Sequence, residues 1–213
     1  MPDPEIHPMK PFLPGSARML LLGSFPPPVA RWSMDFYYPN FQNDMWRVIG
    51  IVFFSDPGFF INGKAFNKER IISFCEKNGI ALYDTAMRIV RGSGNASDKF
   101  LEVLDSIDLE CILNRLPDCN TVAVTGQKAA ETLLEVIEKK GFTKNLSLPR
   151  MGEYEPFPFK GRTIKFYRMP STSRAYPMAL TKKASYYRTL FNEPGMLTGY
   201  SHSMVAGGLE EIS

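Results

Sequence analysis

The stretch LLLGSFPPPVARWSMDFYYPNFQNDMW, residues 20–46, decides how the chain is read. Met19 and the three leucines that follow form a short continuous apolar run, which predicts a strand buried on both faces, and Gly23-Ser24 stops it. Beyond the stop, a loop stiffened by Pro26, Pro27 and Pro28 carries Phe36-Tyr37-Tyr38, Gln42-Asn43 and Trp46. Loops that leave the carboxyl end of a buried strand are where α/β proteins usually place their chemistry. This one offers a hydroxyl, aromatic faces and neutral amides, with Asp35 and Asp44 as its only acids. That inventory suits gripping a flat, uncharged ring better than binding a metal or hydrolysing an ester.

Working outward, further buried strands are expected at residues 80–83, ending at Asp84, at 121–125, closed by Gly126, and at 163–169, which runs into Pro170-Ser171-Thr172-Ser173. Helical spacing of apolar residues predicts helices over 45–54, 67–78, 128–140 and 179–191, with Gly79 and Gly141 as stops. Residues 88–99, rich in Gly, Ser and Asn, are expected as a surface loop, and 99–116 as one or two helical pieces. A proline-rich connection through Pro149, Pro156 and Pro158 should lead to the fourth strand. Strands alternating with helices argue for a mostly parallel sheet covered on both faces, a three-layer α/β/α sandwich. Residues 1–16 hold five prolines and read as an extended or partly disordered arm, 17–192 as a single domain, and 193–213 as an irregular tail.

Composition narrows the chemistry. At 213 residues the chain has room for one ordinary core but is cramped for two. With 44% hydrophobic residues and no run near the roughly 18 apolar residues that cross a bilayer, no membrane partner is expected. No signal-peptide pattern opens the chain, so the cytoplasm and a monomer are the default expectations. Cys75, Cys111 and Cys119 are odd in number and widely spaced, which fits ordinary thiols and neither a disulfide framework nor a metal cluster. The only histidines, His7 and His202, lie near the chain ends, which argues against a histidine triad or a zinc site. A net charge of +3 identifies no partner by itself. The segment 162–188 is more informative, since it carries seven Lys or Arg and no Asp or Glu; it reads either as a solvated basic face or as a phosphate-binding one.

Gly23-Ser24-Phe25-Pro26, Tyr37-Tyr38, Gln42-Asn43 and Trp46, followed far downstream by Pro170-Ser171-Thr172-Ser173, together resemble the uracil-DNA glycosylase superfamily, most closely its deoxyinosine (hypoxanthine) DNA glycosylase branch. Both segments follow strands, and they come in the right order. The chain departs from the branch pattern at Pro27, at Asn40-Phe41, at Met45 and at Arg174.

The resemblance implies a cofactor-free, metal-free, monofunctional DNA glycosylase that hydrolyses the N-glycosidic bond of hypoxanthine or uracil flipped out of DNA. It implies Asn43 as the residue that orients water, and Ser24 beside it through its hydroxyl or backbone amide. Tyr38 would stack on the base, with Tyr37, Phe25 and Asp84 as further base-binding candidates. Pro170, Ser171, Thr172, Ser173 and Arg174 would grip DNA, with Lys182 and Lys183 on phosphates and Arg174 or Tyr176 filling the vacated stack. Local readings stand beside these. Asn43 also suits a turn or a helix cap, Ser24 a tight strand-to-loop turn and Asp84 a cap of the next segment. A catalytically silent DNA-binding relative and a hydrolase of small nucleosides are the competing functions.

Overall fold

The computed structural model describes residues 3–92 and 101–192. Its centre is a five-stranded sheet built from β2 (Met19–Gly23), β5 (Ile80–Asp84), β8 (Thr121–Thr125), β9 (Tyr154–Phe159) and β10 (Arg162–Met169), in the order β5-β2-β8-β10-β9. The first four in that order run parallel, and β9 pairs antiparallel with β10.

Alternate residues of β2 explain the three layers. Met19 and Leu21 enter the core shared with α1 (Met45–Phe54), α2 (Lys68–Lys77) and α5 (Leu180–Phe191). Leu20 and Leu22 enter the opposite core, with α3 (Leu109–Asn114) and α4 (Gln127–Lys139). A strand buried on both faces has no polar side of its own, hence the unbroken apolar run in the sequence. Register then aligns the strand ends. Gly23 lies opposite Asp84, Leu22 opposite Val124, and Met169 opposite Thr125. The loops that follow β2, β5, β8 and β10 therefore leave from one edge of the sheet. No helix among the described residues is long and apolar enough to cross a membrane.

Four sequence expectations change. The amino-terminal arm is extended and tied down over residues 3–16. Its β1 (Glu5–Ile6) pairs with β6 (Ala86–Arg91), and Phe12 exchanges both backbone hydrogen bonds with Leu82, at 3.0 and 2.9 Å, covering the open edge of β5. Part of the expected surface loop at 88–99 is β6 itself, and the first part of 99–116 is β7 (Leu101–Ser106), its antiparallel partner. Among the described residues of that stretch only α3 is helical. The prolines of 149–158 do not exclude a strand, because Pro156 and Pro158 sit on β9 at the sheet's edge, where a missing N–H costs no ladder bond. A small hairpin, β3 (Ile61–Asn62) and β4 (Ala65–Phe66), completes the strands. The expected tail at 193–213 and the rest of the loop at 93–99 lie outside the described residues.

Candidate active site

A cleft of about 260 Å³ opens where the four parallel strands end. It falls just below the roughly 300–1,000 Å³ usual for small-molecule sites, a size for one ring and not for a dinucleotide. Ser24, Phe25, Tyr38, Asn43, Asp84, Thr125, Ser171, Thr172, Ser173 and Arg174 line it. The two segments singled out in the sequence, more than a hundred residues apart, thus face one another across a single space.

The long loop after β2 holds its shape through a few bonds. Trp32 Nε1 donates to Pro27 O at 2.7 Å, and Ser33 donates to Pro39 O through both its backbone N–H, at 2.8 Å, and its hydroxyl, at 2.9 Å. Trp46 is buried and donates from Nε1 to Tyr37 O at 3.0 Å. Tyr37 is buried too, and its hydroxyl donates to Lys10 O at 2.9 Å. Burial and the neighbouring Asp84 hold that phenol above its ordinary pKa. Tyr37 is thus a core residue that does not line the cleft, which corrects the base-binding expectation. Tyr38 has φ 53°, in the left-handed region. That turn of the backbone sends adjacent tyrosines to opposite sides, and the strain it carries, of order 1–3 kcal/mol, is of a kind that concentrates at ligand sites. The Tyr38 ring stands edge-on to Trp46, and its hydroxyl lies 3.5 Å from Thr125 Oγ1.

Asn43 is half-buried. Its Oδ1 accepts the Met45 N–H at 2.9 Å, an Asx turn that leads into α1 one residue ahead of the helix's N-cap, Asp44. Its Nδ2 makes no hydrogen bond among the described residues. Arg47 fixes the backbone on either side, donating to Phe41 O at 2.7 Å and to Asn43 O at 3.0 Å, with its guanidinium over the Phe41 ring. Burial, then the nearby Arg174, lower the Arg47 pKa.

The loop after β10 is tied to this frame by a buried ion pair. Lys183 Nζ lies 2.9 Å from Asp44 Oδ2 and donates to Ser173 O at 2.8 Å, while the Asp44 N–H donates to Thr172 O at 2.8 Å. Lys183 is 0% exposed and Asp44 7%. Lys183 therefore cannot meet a phosphate, contrary to expectation; it is the clamp between the two loops. Pro170 does not line the cleft either, and its carbonyl accepts from Tyr187 OH at 3.0 Å. Ser171 Oγ and Ser173 Oγ each accept a backbone N–H, from Ser173 and Ala175, and each hydroxyl keeps its own proton to donate. Gly126, with φ 91°, passes so close that a Cβ there would lie 3.2 Å from that of Ser171.

Arg174 lines the cleft 3.5 Å from Asp44 Oδ1, whereas Tyr176 is tied to Met151 outside it. Lys182 is exposed over the Tyr186 ring. The rest of the basic segment is dispersed. Arg162, at the far end of β10, donates to Leu113 O and Leu116 O beneath α3, and Arg168 binds Gln127 and Pro149 O.

Three cleft-lining residues and one buried partner of the cleft escaped the sequence. Arg31 and Thr125 line the cleft, Arg91 pairs with Glu5 at 2.8 Å beneath Phe25, and His7 Nε2 lies 2.8 Å from Asp84 Oδ2. Asp84 is thus paired with the arm and caps nothing. No group of three or more His, Cys, Asp or Glu suited to a metal ion occurs among the described residues.

The solution NMR structure of a "putative Uracil DNA glycosylase" from Methanosarcina acetivorans superimposes on the chain with a TM-score of 0.59. The alignment covers 85% of this chain and 93% of that one, at 18% identity. The chain shares that fold. No protein-family model matches the sequence, and no curated protein is similar enough to count as a match.

Proposed function

We propose that the protein is a DNA glycosylase that hydrolyses the N-glycosidic bond of a deaminated base, hypoxanthine or uracil, turned out of the DNA stack. The reading rests on one observation: Ser24, Tyr38 and Asn43 from near the amino end share a cleft with Ser171, Thr172 and Ser173 from near the carboxyl end. The fold shared with the archaeal structure agrees with it.

Breaking a glycosidic bond passes through an oxocarbenium-like sugar, so the site must stabilise charge on the leaving base and hold a water beneath the sugar. Asn43 suits the water, with Nδ2 to donate and a second lone pair on Oδ1 to accept. The Tyr38 ring offers a stacking face, worth about 1–3 kcal/mol per base, against the few kcal/mol of unstacking that flipping costs. The hydroxyls of Ser171 and Ser173 would hold flanking phosphates, with Arg174, Arg31 and Lys182 around them. No lysine lines the cleft among the described residues, which favours attack by water over a Schiff base. The product would be an abasic site that breaks only under alkali.

An oligonucleotide labelled with a fluorophore and carrying deoxyinosine or deoxyuridine tests this directly. Alkali-labile scission should appear with the purified protein and fall at least about tenfold in Asn43→Ala, a floor set below the roughly 10²–10⁴-fold that a positioned proton-transfer group contributes. A second reading has one observation in its favour, since Asn43 Oδ1 is already used by Met45. A silent relative would bind DNA with strong salt dependence and leave both lesions intact.

A further inference from the structure

A second hollow, of about 360 Å³, lies beside the cleft, between the amino-terminal arm and the loop after β2. Met9 lines both spaces, and Trp32, which lines the second, follows directly on Arg31, which lines the first. Phe12 and Phe36 make the rest of the hollow largely apolar. Its two sides are fixed, since Phe12 is bonded to Leu82 and the Tyr37 hydroxyl donates to Lys10 O at 2.9 Å. The only polar atom of the Trp32 side chain is spent on Pro27 O at 2.7 Å, which leaves the ring its faces and no donor. That ring is partly exposed and meets no other aromatic ring among the described residues, whereas Trp46 is 2% exposed and packed edge-on against Tyr38 and Phe60. Exposed cations stand on either side of it. The Arg31 and Lys10 side chains make no hydrogen bond or ion pair among the described residues. Asp35, the one acid lining the hollow, is already matched by Lys68 at 2.7 Å.

An aromatic face in an apolar hollow, with a cation on either side, suits a nucleobase whose flanking phosphates meet the charges. A proline-rich peptide also favours aromatic-lined grooves, but its backbone carries no negative charge for Arg31 and Lys10. We propose that the hollow holds the nucleotide next to the target, its base stacked on Trp32 and its phosphates beside Arg31 and Lys10. The inference rests on the glycosylase reading for what the cleft itself holds, and it adds the form of DNA the protein takes. With the target base in the cleft and its neighbour on Trp32, two adjacent bases have left the stack for separate hollows. In a duplex both must be unstacked and unpaired, whereas in a single strand the pairs are already gone. A stacking platform reads no base edge, so the identity of the neighbour matters little. The substrate is therefore single-stranded or unpaired DNA, gripped at two successive nucleotides.

The test titrates the full chain with a short thymidine strand carrying one deoxyuridine made resistant to hydrolysis by 2′-fluorination, alone or annealed to its complement. Binding is read from protein emission with unlabelled DNA and from anisotropy with labelled DNA. Of the two tryptophans Trp46 is sealed, so quenching on binding reports Trp32. The single strand should quench the emission and bind at least about tenfold more tightly than the duplex, which has two bases to unpair. Trp32→Ala should weaken single-strand binding about 5- to 150-fold, the worth of one base on an aromatic face. Trp32→Phe keeps the face, drops the bond to Pro27 and should stay within about threefold of the wild type, which separates stacking from support of the loop. Lys10→Ala should lower the slope of log K against log salt by about 0.7, one phosphate contact on a single strand. Equal affinity for the duplex, an unquenched Trp32 in the complex, or a Trp32→Ala protein that binds like the wild type would overturn the proposal. So would a Trp32→Phe protein that fails as badly as Trp32→Ala, or an unchanged salt slope in Lys10→Ala. A proline decapeptide that quenches Trp32 at lower concentration than the strand does would assign the hollow to peptides and overturn it too. Scission of hydrolysable strands is scored apart. A chain that shows the Trp32 response but cleaves neither deoxyinosine nor deoxyuridine overturns the glycosylase reading alone, and one that cleaves without the response overturns the second site alone.

Discussion

Replacing Lys183 with Met separates two roles that one lysine on α5 could have. The ammonium is sealed, its side chain 1% exposed, and it is shared between Asp44 Oδ2 and Ser173 O. Removing it strands a carboxylate whose remaining cationic neighbours are Arg174, half exposed and 3.5 Å away, and the more distant Arg47. Breaking one side of a buried pair typically costs about 3–5 kcal/mol, and the partial help from Arg174 places Lys183→Met near the lower end. At about 2–4 °C per kcal/mol for a domain of this size, a cost near 3 kcal/mol lowers the melting temperature by roughly 6–12 °C. The double variant Asp44→Asn with Lys183→Met removes both charges and should recover most of the loss, since the pair itself adds little over neutral packing. Urea unfolding with unchanged m-values gives the free energies. DNA binding supplies the second readout. A phosphate contact would take about 0.9 off the slope of log K against log salt, whereas a clamp leaves the slope alone and weakens scission through loop spacing. A stability loss below about 1 kcal/mol, the worth of an exposed pair, would refute the clamp.

Three other outcomes follow from the site. Asn43→Asp keeps the acceptor for the Met45 N–H and should hold stability while losing scission, whereas Asn43→Ala should lose scission and about 1 kcal/mol of stability as well, both read by urea unfolding beside the scission assay. Gly23→Ala should cut scission sharply, because its Cβ needs the space of Asp84 Oδ1 2.2 Å away; a crystal structure of the variant should show the carboxylate displaced. Maleimide labelling of the folded protein at pH 8 should modify Cys111 alone. Cys111 is exposed, while burial pushes the Cys119 thiol up to about 11 and raises Cys75 as well, leaving few thiolates to react; mass spectrometry counts the adducts.

The central strands were legible because burial on both faces leaves an unbroken apolar signature, as in Met19 to Leu22 and Val122 to Val124. Helix α1 was legible in full from its apolar spacing. Strands β1, β6 and β9 were not. The first has two residues, the second carries two arginines, an exposed Arg88 and an Arg91 turned to Glu5, and the third carries prolines that an edge strand tolerates. The pairing of His7 with Asp84 spans 77 residues and leaves no local pattern. Tyr37 and Tyr38 look alike in the sequence, yet Tyr37 is buried and Tyr38, at positive φ, lines the cleft. Lys183 is different, since a signal existed. It lies four residues before Tyr187 and seven before Leu190, on the apolar stripe of α5, so helical periodicity already pointed it inward.

The most direct measurement is alkali-dependent scission of a deoxyinosine or deoxyuridine oligonucleotide by the wild-type chain beside Asn43→Asp. Strand breaks at the lesion with the wild type, appearing only after alkali and absent with the folded variant, are the predicted result. Intact strands from the wild type, or equal breakage by the two proteins, would contradict it.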